Sequence, residues 1–148
     1  MAEKLLHQDK NAMLIGSGII GLGIDLVNID RIERSISRFQ GRFIERIFRD
    51  GEIKRAESRP LTRMATYAKR FAAKEACSKA LGTGFSRGVY FRDIEVINHP
   101  SGRPTLKLHN GAARRLEEIT PKGRKADIHL SITDEVPMAQ AIVIIAAL

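Results

Sequence analysis

The sequence is poor in the residues that stabilise small secreted proteins or anchor proteins in membranes. Of its 148 residues, one is cysteine, none is tryptophan and 5% are aromatic. A single cysteine excludes an internal disulfide and leaves too few thiolates for a structural zinc site. No run of 20 uncharged residues occurs, so we expect no transmembrane helix. The first 18 residues also lack the apolar centre of a secretory signal, and a cytoplasmic protein of one domain is expected.

Basic residues outnumber acidic ones and concentrate in one part of the chain. The 25 Lys and Arg residues against 17 acidic residues give a net charge of +8, and residues 29–74 hold 13 basic and 6 acidic side chains. Arg31, Arg34, Arg38 and Arg42 recur at spacings of three and four, which predicts one basic face on the first helix. Such a face implies an anionic partner: nucleic acid, lipid head groups, a phosphorylated small molecule or an acidic protein.

The hydrophobic pattern predicts a single α+β domain. Residues 1–13 are polar and aperiodic, so we treat them as a leader and residues 14–148 as the domain. The predicted elements are a strand (19–27), a helix (29–41), a short helix (43–48) broken near Asp50-Gly51, a long helix (61–81), two strands (93–98 and 104–109), a short helix (111–119) and two strands (126–133 and 138–148). This order favours a largely antiparallel sheet packed against the long helix.

Glu75 interrupts the apolar pattern of the long helix. At 100° per residue it falls in the middle of a stripe formed by Met64, Phe71 and neighbouring alanines, and Lys79 follows one turn later. A carboxylate that faces the core is unfavourable unless cations or hydrogen-bond donors surround it. The alternative is an ordinary Glu75–Lys79 pair at the solvent-exposed end of the stripe, which would contribute only about 0.3–0.5 kcal/mol. Both interpretations stay open, and Glu75 is a functional candidate.

Asp25 interrupts the first strand in a similar way. By the alternation of a strand it shares a face with Gly21 and Gly23, and glycines beside an acid leave room for a ligand near the backbone. The alternative is an aspartate that helps to start the next helix, although Asn28 already suits that role. Together, Asp25 and Glu75 form a candidate Mg²⁺ site, because this ion is usually held by one or two carboxylates with substrate phosphates and waters.

Basic and small residues near Glu75 are suitable contacts for the phosphates of such a substrate. Arg70, Lys74 and Lys79 lie on the same predicted helix, and the small-residue loop Gly82-Thr83-Gly84 follows it. The loop comes after a helix and not before one, so attraction of anions to a helix N-terminus does not apply.

Four segments of the chain resemble the holo-[acyl-carrier-protein] synthases, a family of small bacterial 4'-phosphopantetheinyl transferases. They are IGLGIDLVNIDRIER, RFAAKEACSKALGTG, NHPSGRPTLKL and HLSITDEVPMAQA, in the order and spacing of the family. The resemblance implies the 4'-phosphopantetheinyl transferase fold. It also implies transfer of 4'-phosphopantetheine from coenzyme A to a serine of apo acyl carrier protein, with adenosine 3',5'-bisphosphate as the other product, in fatty acid biosynthesis.

The resemblance also implies roles for particular residues. Asp25 and Glu75 match the acids that bind Mg²⁺, and Glu75 and Lys79 are the implied catalytic residues. Positions that line the coenzyme A pocket in relatives correspond to Arg70, Lys79, Gly82 and Thr83. Positions where the carrier protein docks correspond to Arg31, Arg38 and Arg42. A homotrimer with a site at each subunit interface is expected.

Other functions explain fewer of these residues. Nucleic-acid binding would account for the arginines but not for Asp25 and Glu75, and the chain offers no aromatic stacking platform. We therefore expect neither a nucleic-acid nor a membrane partner. A metal-dependent phosphohydrolase remains chemically possible. The group that accepts the serine proton is also open between Glu75 and a water held by the metal and Glu75. Cys77 is predicted to be a packed, unreactive thiol.

Overall fold

The computed structural model describes residues 18–148, so the predicted leader, residues 1–13, lies outside the described residues. The strands are β1 (Gly18–Asn28), β2 (Ile94–Asn98), β3 (Pro104–Leu108), β4 (Ala126–Glu135) and β5 (Met138–Ala147). The helices are α1 (Ile29–Phe39), α2 (Gly41–Ile47), α3 (Asp50–Glu57), α4 (Arg63–Ala80) and α5 (Asn110–Ile119). Short 3-10 turns occur at Pro60–Thr62 and Phe91–Asp93.

The strands form two antiparallel sheets beside the long helix α4. The larger sheet has the order β1–β5–β4, and β2 pairs with β3 in a separate hairpin. The predicted α+β class, with an antiparallel sheet packed against a long helix, is confirmed. In the part of the chain that the structure describes, no helix is long and apolar enough to cross a bilayer.

Two glycines allow β1 to pack directly against the backbone of α4. A Cβ atom at Gly21 would lie 2.3 Å from the carbonyl oxygen of Ala80, and one at Gly23 would lie 1.8 Å from that of Ala76. Both distances are too short for any side chain. The two glycines therefore set the close approach of β1 to α4, and this approach brings Asp25 beside the helix.

The boundaries of the short helices differ from the prediction. The Asn28 side chain caps α1 by accepting a hydrogen bond from the Asp30 N–H at 2.9 Å, as expected. However, Gln40 has a left-handed φ of 49° and separates α1 from α2, so the predicted arginine face spans two helices. The predicted break after the second helix is present at Phe48 and Arg49, but the helix that follows it, α3, was not predicted; it begins at Asp50, where the Glu52 carboxylate accepts the Arg49 N–H at 2.8 Å.

The buried side of α4 also differs from the prediction. Met64, Phe71 and Glu75 lie on a partly exposed side of the helix, whereas Lys74 is fully buried. Burial of Lys74 is tolerated because its ammonium group is paired with the buried Glu52 carboxylate at 3.0 Å. Glu75 therefore lies between the two interpretations that the sequence left open, half-buried at the edge of the core, and the prediction that Lys74 contacts phosphate is wrong.

The outward face of the larger sheet is apolar along β1. Leu22, Ile24 and Leu26 are exposed by 60%, 51% and 58% of their surface, and Ile142 of β5 lies beside Ile24 in the pairing register. The predicted first strand is therefore buried on the face with the glycines and exposed on the other. The face toward α4 is covered by that helix, whereas nothing within residues 18–148 covers this side of β1.

Candidate active site

Asp25, Glu75 and Lys79 meet where β1 crosses the C-terminal half of α4. The Lys79 ammonium group donates to the carbonyl oxygen of Ile24 at 2.9 Å and to the Asp25 carboxylate at 3.1 Å. Glu75 lies one turn before Lys79, and the three side chains share one open edge of the helix. The structure therefore brings together the two predicted metal-binding acids and the predicted catalytic lysine.

The ionisation of Glu75 reflects this crowding. Burial raises the pKa of the Glu75 carboxyl, and the negative charge of Asp25 raises it further. Lys79 and Arg31 act in the opposite direction without cancelling these effects. Two carboxylates thus repel each other in a half-buried place. A divalent cation between them would remove the repulsion.

The donor set fits a magnesium ion better than it fits a metal held entirely by protein. Within residues 18–148, no group of three or more His, Cys, Asp or Glu side chains is arranged to hold a metal. Two carboxylates are nevertheless the usual protein contribution to a Mg²⁺ site, where waters and substrate phosphates complete the coordination. Asp25 and Glu75 therefore fit the group that the sequence predicts.

The loop after α4 places Gly82 and Thr83 one turn beyond Lys79. The Gly82 N–H donates to the Lys79 carbonyl oxygen at 3.0 Å, and the Thr83 N–H donates to the Ser78 carbonyl oxygen at 3.3 Å. Gly82 has a φ of +76°, a conformation that favours glycine. The loop therefore turns sharply back over the end of α4, adjacent to Lys79.

Arg70 lies on the opposite, buried side of α4 from this cluster. Its guanidinium group donates from Nη2 to the Asn98 side chain at 2.5 Å, and only 3% of the residue is exposed. A pocket of 240 Å³ opens beside it and is also lined by Arg55 and Arg59. Burial is the main reason that the pKa of Arg70 is lowered to about 10; the negative charge of Glu52 opposes this shift, and the two neighbouring arginines add to it.

Arg55 and Arg59 were not predicted as site residues, and the pocket that they share with Arg70 has an unused donor. Among the side chains that the structure describes, Arg70 Nε is buried without a hydrogen-bond partner. Three arginines and a free buried donor favour an anion in this pocket. The spacing of Arg55 and Arg59 at i and i+4 was the available signal, but it does not show that Arg70 lies beside them.

The four arginines of the predicted basic face are all exposed. Arg31, Arg34 and Arg38 lie on α1 and Arg42 lies on α2. The three arginines on α1 share the exposed surface of the helix with Asp30 and Glu33. Because Arg31 also acts on the pKa of Glu75, the basic surface reaches the edge of the carboxylate cluster.

The arrangement agrees with the 4'-phosphopantetheinyl transferase fold that the resemblance implies, and comparison with known proteins gives the class. Residues 21–137 match the model of the 4'-phosphopantetheinyl transferase superfamily, and the chain belongs to this superfamily. Within it, the chain is similar to the holo-[acyl-carrier-protein] synthase of Rhizobium meliloti, with 58% identity over 130 residues that cover 88% of this chain and 93% of the relative. The resemblance found in the sequence is therefore confirmed.

Solved structures support the same relationship. The holo-[acyl-carrier-protein] synthase of Neisseria meningitidis superposes with a TM-score of 0.76 at 34% identity, covering 86% of this chain and 98% of that one. The Helicobacter pylori synthase, solved in complex with coenzyme A, superposes with a TM-score of 0.71 at 31% identity, covering 84% of this chain and 98% of that one.

Proposed function

We propose that this protein transfers 4'-phosphopantetheine from coenzyme A to a serine of apo acyl carrier protein, in fatty acid biosynthesis. The observation that carries the proposal is the convergence of Asp25 and Glu75 beside Lys79 and the Gly82-Thr83 loop, in a chain whose relatives are holo-[acyl-carrier-protein] synthases. The coenzyme A complex of the Helicobacter pylori relative supports coenzyme A as the donor.

We propose Asp25 and Glu75 as the protein ligands of a Mg²⁺ ion. When bound, this ion would polarise the phosphoryl oxygens of coenzyme A and neutralise charge on the departing bisphosphate. Asp25 is oriented by its contact with Lys79, and Glu75 is fixed on the rigid helix α4. Both carboxylates must be ionised for this role, so the raised pKa of Glu75 makes occupancy sensitive to acid.

The reaction forms one P–O bond and breaks another. The serine oxygen of the carrier attacks the phosphorus that bears the pantetheine arm, and adenosine 3',5'-bisphosphate leaves with the bridging oxygen. Lys79 is about half exposed beside Asp25, so its ammonium group adds positive charge next to the transferred phosphoryl group. Glu75, directly or through an adjacent water, accepts the serine proton. Positioning and charge neutralisation contribute most of the catalysis in such transfers.

We propose a homotrimer in which each site is shared between two subunits. The apolar outward face of Leu22, Ile24, Leu26 and Ile142 is an exposed surface of the kind that subunit interfaces cover. A shared site also accounts for Arg70. Because Arg70 lies behind α4, away from Asp25 and Glu75, it reaches the coenzyme A phosphates most simply when its pocket faces the carboxylate cluster of a second subunit.

We propose that Arg31, Arg38 and Arg42 dock the carrier protein. All three are exposed on α1 and α2, and Arg31 lies close enough to the carboxylate cluster to act on the pKa of Glu75. Acyl carrier proteins are acidic, so a positive surface here would steer the carrier toward the site and make its association sensitive to salt.

The proposed function is tested by incubating the protein with apo acyl carrier protein, coenzyme A and Mg²⁺ and weighing the carrier by intact-mass spectrometry. We expect the carrier to gain one phosphopantetheine, and a chelator to prevent the gain. Hydrolysis of coenzyme A without carrier modification would show a phosphohydrolase. No reaction, with a carrier that an established transferase modifies, would contradict the proposal.

A further inference from the structure

The segment from Leu81 to Gly88, which contains the Gly82-Thr83 loop, packs against α5, an element that so far has no part in the proposed site. A Cβ atom at Gly111, near the start of α5, would lie 1.8 Å from the carbonyl oxygen of Gly88, so the helix packs directly on the backbone of the loop. Further along α5, Arg115 Nε donates to the carbonyl oxygen of Leu81 at 2.9 Å. The helix therefore contacts the loop near both of its ends.

The Arg115 guanidinium group spans the junction between α4 and the loop. Its Nε donates to the carbonyl oxygen of Leu81. Its Nη2 lies beside Gly82, since a Cβ atom added to Gly82 would be 3.6 Å from this nitrogen. Nη1 is paired with Glu118 on the same helix at 3.2 Å, and this contact fixes the plane of the group. Arg115 is thus the side chain that links α5 to the predicted coenzyme A loop.

The charge of Arg115 matters because of where the loop lies. A helix C-terminus carries a partial negative charge from its unpaired carbonyl groups, so the end of α4 would repel a phosphate bound at Gly82 and Thr83. Arg115 binds one of these carbonyl oxygens and places a positive charge beside them. This contact offsets the unfavourable field at the point where the proposed substrate is anionic.

We propose that Arg115 is a positioning residue for coenzyme A. It holds the Gly82-Thr83 loop on the end of α4 and neutralises the helix terminus, so that the loop can accept the pyrophosphate of the substrate. The inference rests on the proposed function. It adds a residue from outside the segments on which the resemblance to the family was based.

The test compares Arg115→Ala with Arg114→Ala in the full-length protein. Arg114 is exposed on the same helix, so its substitution removes an equal charge from the adjacent position without touching the loop. We expect Arg115→Ala to raise the KM for coenzyme A about tenfold, an effect in the range of a hydrogen bond to a charged group. The kcat and the KM for the carrier should stay close to wild type, and Arg115→Lys should restore part of the affinity.

An unchanged KM for coenzyme A in Arg115→Ala, or an equal rise in Arg114→Ala, would overturn the proposal. The proposal would also be overturned if Arg115→Ala lowered the melting temperature, lowered kcat and raised the KM values for both substrates together, since that result shows a merely structural role. If Arg115→Ala does not fold, Arg115→Gln and Arg115→Lys provide the same comparison. Calorimetric binding of coenzyme A separates the two proposals: a wild type that binds coenzyme A without modifying the carrier would contradict only the proposed function.

Discussion

At the scale of single residues, the carboxyl group of Glu75, which we propose takes part in the reaction, lowers the stability of the folded protein when it is ionised. Its carboxylate is half-buried beside Asp25, and both burial and this neighbour raise its pKa. A raised pKa means that the folded protein favours the protonated form, so ionised Glu75 destabilises the metal-free protein. Stability and function therefore place opposite demands on this position.

Glu75→Gln should abolish turnover and stabilise the metal-free protein at neutral pH. Loss of a positioned acid–base group alone lowers the rate by about 10²–10⁴-fold, and this variant also loses a proposed metal ligand, so we expect no detectable turnover. Below the pKa of the unfolded carboxyl, both states are protonated and the melting temperatures should agree. As the pH rises through the folded pKa, the wild type should become the less stable of the two. Thermal unfolding with chelator at acidic and neutral pH tests this, and a less stable variant at neutral pH would contradict it.

Cys77 is on the same helix and should have no catalytic role. It is fully buried, and burial raises the pKa of its thiol to about 12. We expect Cys77→Ala to retain the wild-type kcat and KM values. We also expect the native protein to resist alkylation by a thiol reagent at neutral pH. Rapid alkylation accompanied by loss of activity would show that the thiol belongs to the site.

The residues that could be predicted from the sequence are those that conflict with their local pattern. Asp25 and Glu75 each interrupt an apolar surface, so both stand out without any tertiary information. Arg115 does not interrupt the pattern of its own helix. Its proposed role depends on its hydrogen bond to the carbonyl oxygen of Leu81, 34 positions away in the chain. No local pattern contains that contact.

At the scale of elements, α4 is held in place by an ion pair inside the core. Lys74 donates to the Glu52 carboxylate, to the carbonyl oxygen of Phe91 at 3.1 Å and to that of Ile94. Glu52 also accepts the Val96 N–H at 3.0 Å. The pair thereby connects α3, α4 and β2. It fixes the helix that carries Glu75 and Lys79.

Lys74→Ala should lower the free energy of unfolding by about 3–5 kcal/mol, because it leaves a buried carboxylate without its cation. Lys69→Ala is the matched control on the same helix. Lys69 is paired with Asp134 at 2.8 Å in a partly exposed position, so its loss should cost about 1 kcal/mol or less. Urea unfolding measures both values, and equal losses would show that the buried pair has no special role.

The arginine surface of α1 and α2 should act on the carrier and not on coenzyme A. Arg38→Glu is a cleaner test than Arg31→Glu, since Arg31 also changes the pKa of Glu75. We expect Arg38→Glu to raise the KM for the carrier about tenfold at low salt, with less effect at high salt. Arg124→Glu, an exposed control outside this surface, should behave as wild type. An equal rise in the KM for coenzyme A would contradict the docking role.

The helices and strands were predicted correctly where a hydrophobic pattern extends over many residues. They were predicted less accurately where a contact of a single side chain determines a helix boundary or the burial of a residue. The long helix and all five strands follow from hydrophobic spacing over many residues. The start of α3 depends on Glu52 accepting the Arg49 N–H, and Asp50-Gly51 at that point is typical of a break. The burial of Lys74 depends on Glu52 too, a partner 22 positions away.

At the scale of the whole molecule, one face of the larger sheet is covered by α4, and the other is left uncovered along β1 by the part of the chain that the structure describes. Toward α4, β1 presents glycines and buried side chains, and away from it β1 presents Leu22, Ile24 and Leu26. The sequence predicted this alternation but not which face the chain covers, because an apolar surface has the same pattern inside a core and at a subunit interface.

Leu22→Asp combined with Ile24→Asp should dissociate the proposed trimer and remove activity. The charges would be buried without partners at the interface, at a cost that association does not offset. Leu61→Asp is the control, because Leu61 is fully exposed in the turn before α4, outside the sheet face. Light scattering after gel filtration measures the assembly. A double variant that remains trimeric and active would contradict the assignment of this face.

The central claim is that Asp25 and Glu75 together support a metal-dependent transfer from coenzyme A. The most direct test measures carrier modification by intact mass over a Mg²⁺ titration, for the wild type, Asp25→Asn, Glu75→Gln and Cys77→Ala. We predict saturable Mg²⁺ dependence in the wild type and Cys77→Ala, and no modification at any Mg²⁺ concentration in either acid variant. Full activity of Asp25→Asn or Glu75→Gln, or activity of the wild type in excess chelator, would contradict the account.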